Sequence, residues 1–105
     1  MMIAVLIAAV AGAGEPVICL LDERPIARCR MEDRIFPDGR HRLTFSGRGA
    51  RVVFEGKGAN GWWSGTLDGR PAMGRERNRG YTDFSTRDLQ RRFSWWYPAD
   101  EHGTY

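Results

Sequence analysis

The stretch from Gly61 to Met73, GWWSGTLDGRPAM, limits what this chain can become more than any other. Asp68-Gly69 is a two-residue loop suited to a type I′ turn, in which both central residues take φ > 0. Trp62–Leu67 on one side and Arg70–Glu76 on the other then read as the two strands of a hairpin.

The same punctuation recurs along the chain. Val17–Leu21 is a short apolar run ended by Asp22-Glu23-Arg24-Pro25. Ile26–Met31 alternates Ile26, Arg28 and Arg30 against Ala27, Cys29 and Met31. Pro37-Asp38-Gly39 marks a turn within Asp33–Arg40. His41–Ser46 then carries Leu43 and Phe45 on one face. Gly47-Arg48-Gly49 reverses the chain into Ala50–Glu55, with Ala50, Val52 and Phe54 on one face. Gly56–Gly61 reads as a flexible loop, Asn78-Arg79-Gly80 as a turn, and Tyr81–Ser85 as a strand. Ser85-Thr86-Arg87-Asp88 resembles a capping box and predicts one helical or 3₁₀ turn over Thr86–Gln90. Arg91–Tyr97 is the last strand, stopped by Pro98. About eight short strands at a spacing of roughly 8–12 residues, with no long helical period, predict an all-β fold. The expected form is a small antiparallel barrel or sandwich with at most one short helical turn.

Met1–Ala13 holds no charged side chain and ends Ala11-Gly12-Ala13, a small-x-small pattern that signal peptidase accepts. It is shorter than the roughly 20 apolar residues that span a bilayer. It reads as a secretory signal peptide cleaved after Ala13, although its n-region lacks Lys and Arg; the competing reading is a buried N-terminal helix or strand. The expected organisation is a signal peptide at 1–13, one β domain at 14–98 and a polar tail at 99–105. No transmembrane segment is expected after signal removal, and the destination is the periplasm or the medium.

An exported chain of this length needs a staple for a thin core. Cys19 and Cys29 supply one, because an oxidising compartment pairs cysteines. They lie symmetrically about Arg24-Pro25, as a cross-strand bridge in a hairpin would. Two cysteines outside a Cys-x-x-Cys spacing and without a nearby histidine do not make a zinc site. No metal and no cofactor are expected.

The net charge is +3, and the basic residues are fifteen Arg against the single Lys57. Period-2 alternation sorts the four tryptophans among them. Trp63 and Leu67 share one face of their strand, and Phe93 and Trp95 one face of theirs. These are the expected core, with Leu43, Phe45, Val52, Phe54, Met73 and Phe84. Trp62 and Trp96 are left on the outer faces, with Arg70, Arg75, Arg77, Arg79, Arg91 and Arg92 near in sequence. Arginines stacked over the indoles as a self-contained surface are the plain reading. A protein-binding patch is the second, since Trp and Arg dominate interface hot spots. A stacking platform for sugars or single-stranded nucleic acid is the third. The residues expected to carry binding are Trp62, Trp96, Arg75 and Arg92.

Enzyme chemistry is not expected. No Gly-x-Ser-x-Gly, His-Glu-x-x-His or P-loop pattern is present, and the two histidines, His41 and His102, read as surface residues. Asp100-Glu101-His102 falls in the polar tail and reads as solvated. Nucleic acid is not an expected partner, given the export signal and the modest charge. A protein or glycan of the cell envelope is.

The export signal, the Cys19–Cys29 hairpin and the strand Asn78-Arg-Gly-Tyr-Thr-Asp-Phe84 together resemble the layout of small periplasmic inhibitors of lysozyme. That resemblance implies a disulfide-bearing antiparallel barrel that inserts a loop into an enzyme cleft. The family's Ser-Gly-x-x-Tyr loop is not matched here, since Ser64-Gly65 is followed by Thr66-Leu67-Asp68, and no inhibitory residue transfers. The function expected is therefore a small exported binding module of enzyme-inhibitor type. The alternatives are an envelope-associated structural protein without a discrete ligand and a carbohydrate-binding module using exposed Trp. Closing a loop of this length by the Cys19–Cys29 bridge contributes about 3 kcal/mol in the chain-entropy picture. Thermal unfolding followed by circular dichroism with and without reductant should show a fall of roughly 10–20 °C on reduction; coincident transitions would remove the bridge as a stabilising element.

Overall fold

The computed structural model describes residues 14–77 and 81–101, with backbone only at 100 and 101. The expected signal peptide, the Asn78–Gly80 turn, Arg79 and His102 lie outside the described residues. Within them the chain forms ten strands: β1 (Glu15–Pro16), β2 (Ile18–Leu21), β3 (Arg24–Pro25), β4 (Arg30–Ile35), β5 (His41–Gly47), β6 (Ala50–Ala59), β7 (Trp62–Leu67), β8 (Arg70–Glu76), β9 (Thr82–Thr86) and β10 (Arg92–Trp96). One helical turn, α1 (Pro98–Glu101), follows.

All ten strands belong to one antiparallel sheet in the order β1-β4-β5-β6-β7-β8-β9-β10-β2-β3. From β4 to β10 it is a meander in which each strand pairs with its successor. Short loops impose this, because two residues suffice only for an adjacent antiparallel return. Asn60-Gly61 and Asp68-Gly69 each have φ > 0 at both residues, the signature of type I′ turns whose twist matches the strands they join. Asp68 adds a second role: its backbone N–H donates to the Val53 carbonyl and its Oδ1 accepts from the Val53 N–H, closing the end of the β6–β7 ladder.

The meander curls into a half-barrel, and one N-terminal segment reaches both of its margins. Glu15 and Pro16 pair with Met31 and Arg30 of β4, whereas Ile18–Leu21 pair with Trp96–Phe93 of β10. Only Val17 separates the two, and its N–H donates to the Cys29 carbonyl at 3.0 Å. Cys19 and Cys29 are buried and disulfide-bonded beside that bond.

Curling requires strands to approach closely where the sheet bends. Gly56 on β6 and Gly65 on β7 face each other in register. A Cβ at Gly65 would fall on the Glu55 carbonyl oxygen, and one at Gly56 on the Ser64 carbonyl oxygen. Inside the curl lie Phe45, Phe54, Phe84, Phe93, Leu67 and Val52, all fully buried. Phe54 stacks on Phe84 with centroids 4.2 Å apart, and Phe45 meets Phe93 at 4.6 Å. Trp95 packs against Phe45 and Tyr97, its indole N–H buried without an acceptor among the described residues.

Several expectations are corrected. The strand count is ten rather than eight, because the first segment splits at Val17 and two-residue strands flank it. A single continuous sheet decides for the barrel-like form over the sandwich. The strand expected at Ile26–Met31 begins at Arg30 and runs to Ile35; Ala27-Arg28 turn instead, with Arg28 at φ 58°. The N-terminal hairpin turns at Asp22-Glu23, so Cys29 lies beyond its short return strand and the bridge is not cross-strand. The expected Gly56–Gly61 loop is strand as far as Ala59. No helical turn forms over Thr86–Gln90. Thr86 stays in β9 with its hydroxyl accepting from the Arg91 N–H, and Leu89 at φ 61° excludes a helix. The Asp88 carboxyl sits below its ordinary pKa, held by the Thr86 hydroxyl, then the Gln90 N–H and Arg70.

Met73 is not core but 46% exposed, opposite Ser64 on the outer face. The inward places of β8 go to Ala72 and Gly74, because the Phe84 ring lies where a Gly74 side chain would be. Trp63 is partly rather than fully buried, packed against the core with its indole N–H donating to Glu76 Oε2 at 2.9 Å.

Gly65→Ala should cost about 1–3 kcal/mol, because the new methyl meets backbone rather than a movable side chain. Gly69→Val should cost a similar ~1–3 kcal/mol through strain at φ 83°, with no neighbour within 4 Å of the added Cβ. Urea unfolding midpoints measure both; wild-type stability in either variant would contradict the backbone described.

Candidate functional site

The outer face of β7–β10 carries the residues singled out by alternation. Trp62 stands opposite Arg75, Arg75 opposite Asp83, and Asp83 opposite Ser94, in one row across four strands. Trp62 is 52% exposed, and the Arg75 guanidinium carbon lies 5.2 Å from its ring centroid, within cation–π range. Met73 is the diagonal neighbour of Trp62 on the same face. With Arg75, Arg77, Asp83 and Ser85 these two side chains line a shallow cleft of about 240 Å³.

The row is held in place by polar contacts at its centre. Ser94 Oγ donates to Asp83 Oδ1 at 2.5 Å, and Arg77 Nε pairs with Asp83 Oδ2 at 3.0 Å. Asp83 therefore fixes a guanidinium on the Trp62 side and a hydroxyl on the β10 side.

Trp96 and Arg92 flank Ser94 on the outer face of β10, since Phe93 and Trp95 take its inner face. Trp96 is half-buried against the Tyr81 ring, centroids 5.0 Å apart. Arg92 is exposed and pairs with Glu23 Oε2 at 2.9 Å. The fold thus brings Trp62 and Arg75 together and places Trp96 and Arg92 on the same face. The two tryptophans are separated by β8 and β9, roughly 15 Å of sheet at the usual strand spacing. Residues that sequence reasoning did not assign to this face are Met73, Tyr81 and Asp83. Alternation in Tyr81–Ser85 carried the signal for two of them, because Phe84 inward puts Tyr81 and Asp83 outward.

Two other features bear on chemistry. His41 Nδ1 lies 2.8 Å from Asp33 Oδ1, and the ring meets the Trp63 edge at 5.1 Å. This carboxylate–histidine pair has no hydroxyl or thiol hydrogen-bonded to the imidazole among the described residues, so it orients the ring against Trp63. A groove of about 900 Å³ lies over β4–β6, and both Arg34, Arg42 and Arg51 and Glu15, Glu32 and Asp33 line it. Among the described residues no group of three His, Cys, Asp or Glu is placed to hold a metal, and no helix is long and apolar enough to cross a membrane.

These features define a small disulfide-bonded, curled antiparallel β protein with an outward Trp–Met–Arg cluster. No protein-family model matches the chain, and no curated protein or solved structure matches it.

Trp62 should dominate the fraction of tryptophan fluorescence quenched by acrylamide. Trp62→Phe should remove most of that fraction and shift stability by no more than about 0.5 kcal/mol, as surface changes do; undiminished quenching would place the ring elsewhere.

Proposed function

We propose that the chain is an exported binding module, periplasmic or secreted, that engages a protein partner through the outer face of β7–β8. The observation that supports this most directly is the cluster of Trp62, Met73 and Arg75. A half-exposed indole, a flexible thioether and a guanidinium stand side by side on a rigid sheet. Trp and Arg are the residue types that carry most interface energy, and Met adapts to irregular partner surfaces. The sheet beneath pre-organises them, so little conformational entropy is lost on docking. An enzyme would be a natural target for such an inhibitor-like module. Trp96 and Arg92 extend the face at its far side.

A carbohydrate platform is less well supported, because the Arg75 guanidinium already occupies one face of Trp62, where a sugar ring would stack. The Cys19–Cys29 bridge is compatible with an oxidising compartment and supports the exported setting.

Immobilised mature chain incubated with periplasmic and secreted extracts should retain a discrete partner protein. Trp62→Ala combined with Arg75→Ala should reduce its retention at least about tenfold, the loss expected of a hot-spot pair. Equal retention by the double variant would move the interface off this face.

A further inference from the structure

The arginines of this chain fall into two populations. Arg40, Arg42, Arg70, Arg77, Arg91 and Arg92 each pair with a carboxylate. The other eight described, Arg24, Arg28, Arg30, Arg34, Arg48, Arg51, Arg75 and Arg87, have none within ion-pair distance among the described residues and are exposed; Arg34 and Arg75 lie over the Phe36 and Trp62 rings. Five of these, Arg24, Arg28, Arg30, Arg48 and Arg51, lie on segments near the β5–β6 turn, with Arg30 donating to the Gly14 carbonyl at 2.7 Å and Arg51 bordering the groove that Glu15, Glu32 and Asp33 also line. Ser46 is the register partner of both Arg30 on β4 and Arg51 on β6. The Arg48 N–H donates to the Ala27 carbonyl at 2.9 Å, which sets the β5–β6 turn beside Arg28. Arg24 and Arg48 line a cleft of about 480 Å³ together with Leu21, Asp22, Pro25, Ile26 and Ala50. The nearby carboxylate, Asp22, is already engaged by Arg91 Nε at 3.4 Å and by the Arg92 N–H.

Uncompensated guanidiniums so close together repel one another and build a positive potential over the cleft. Their planar forks suit carboxylate, sulfate and phosphate groups, which they bind bidentately. The cleft is also separate from the tryptophan face. Arg48 precedes the first residue of β6 and Trp62 follows its last, so some 30 Å of strand lies between them.

We propose that this cleft is a second binding site, for a linear acidic glycan. A sugar ring enters the cleft with its C–H face on Pro25, Ile26 and Ala50 and its acid group between Arg24 and Arg48. Arg28, Arg30 and Arg51 receive the acid groups of neighbouring units. A cleft with apolar residues in its lining offers a ring a surface to stack on, whereas a bilayer surface would present only headgroup charge to Arg24 and Arg48. This site is independent of the protein-binding reading, and the two stand or fall separately.

Titration calorimetry of the mature chain tests it with four probes. These are a galacturonate hexasaccharide, a heparin hexasaccharide, the neutral maltohexaose, and vesicles of phosphatidylglycerol and phosphatidylcholine in equal parts. Both acidic oligosaccharides should bind and weaken steeply with added salt, and maltohexaose should not bind. Arg24→Gln/Arg48→Gln should weaken the acidic oligosaccharides at least about tenfold, while Arg34→Gln/Arg87→Gln, with the same loss of charge, should change them less than about twofold. Arg30→Gln/Arg51→Gln, changed on the strands alone, should give an intermediate loss. No binding of either acidic oligosaccharide, equal loss in the two charge-matched variants, equal binding of maltohexaose, or binding to vesicles alone would each overturn the proposal.

Discussion

The fold depends on a segment of seven residues that hydrogen-bonds to two different strands. Residues 15–16 pair with β4 and residues 18–21 with β10, so the two margins of a long meander are tied to one stretch of backbone. An open meander of this length would expose long edges to other chains. Here the outermost strands, β1 and β3, are two residues each and both contain proline, which cannot donate to an incoming strand. The Cys19–Cys29 bridge holds the segment against the loop that leads into β4.

The curl that brings the margins within reach has its own requirements. Opposed glycines at 56 and 65 let β6 and β7 approach more closely than side chains would permit. Gly74 leaves space that the Phe84 ring fills, and four phenylalanines then occupy the interior. Those inward small residues account for the surface too. With Ala72 and Gly74 facing in, Met73 must face out, next to Trp62. The exposed cluster proposed to bind a partner is thus a consequence of how the aromatic core is packed. Charge is partitioned in the same way. The turns around Asp22, Asp68 and Asp88 are cross-linked to Arg91 and Arg70, whereas Arg24 and Arg48, which share a cleft with Asp22, have no carboxylate within ion-pair distance among the described residues.

Much of this was legible wherever a local signal was unambiguous. Asp68-Gly69 marked its turn because only a few residue pairs tolerate positive φ twice in succession. Asn60-Gly61 carried the same signal, but the surrounding glycines read as a loop, and β6 was expected to end four residues early. Alternation separated Trp62 from Trp63 and Trp96 from Trp95 correctly in direction. It failed for Met73, because a large apolar side chain is read inward unless the space beneath it is known to be filled. The capping-box reading of Ser85–Asp88 failed because a buried Thr86 used its hydroxyl to close the β9–β10 connection instead. The Asp33–His41 pair, eight residues apart on neighbouring strands, left no sequence pattern, since cross-strand partners depend on register.

The sequence by itself determined the all-β class, the two-residue turn at Asp68-Gly69, the pairing of its two cysteines and the faces on which its tryptophans lie. Each of these follows from local rules, namely the period of a strand, the φ tolerance of a turn and the availability of one thiol partner. The tertiary structure alone decided that the first strand would be shared between β4 and β10 and that Trp62, Met73 and Arg75 would stand together. It alone left Arg24 and Arg48 beside one cleft without an ion-pair partner among the described residues. Those outcomes depend on strand register and curvature, which are set by packing between residues far apart in the chain.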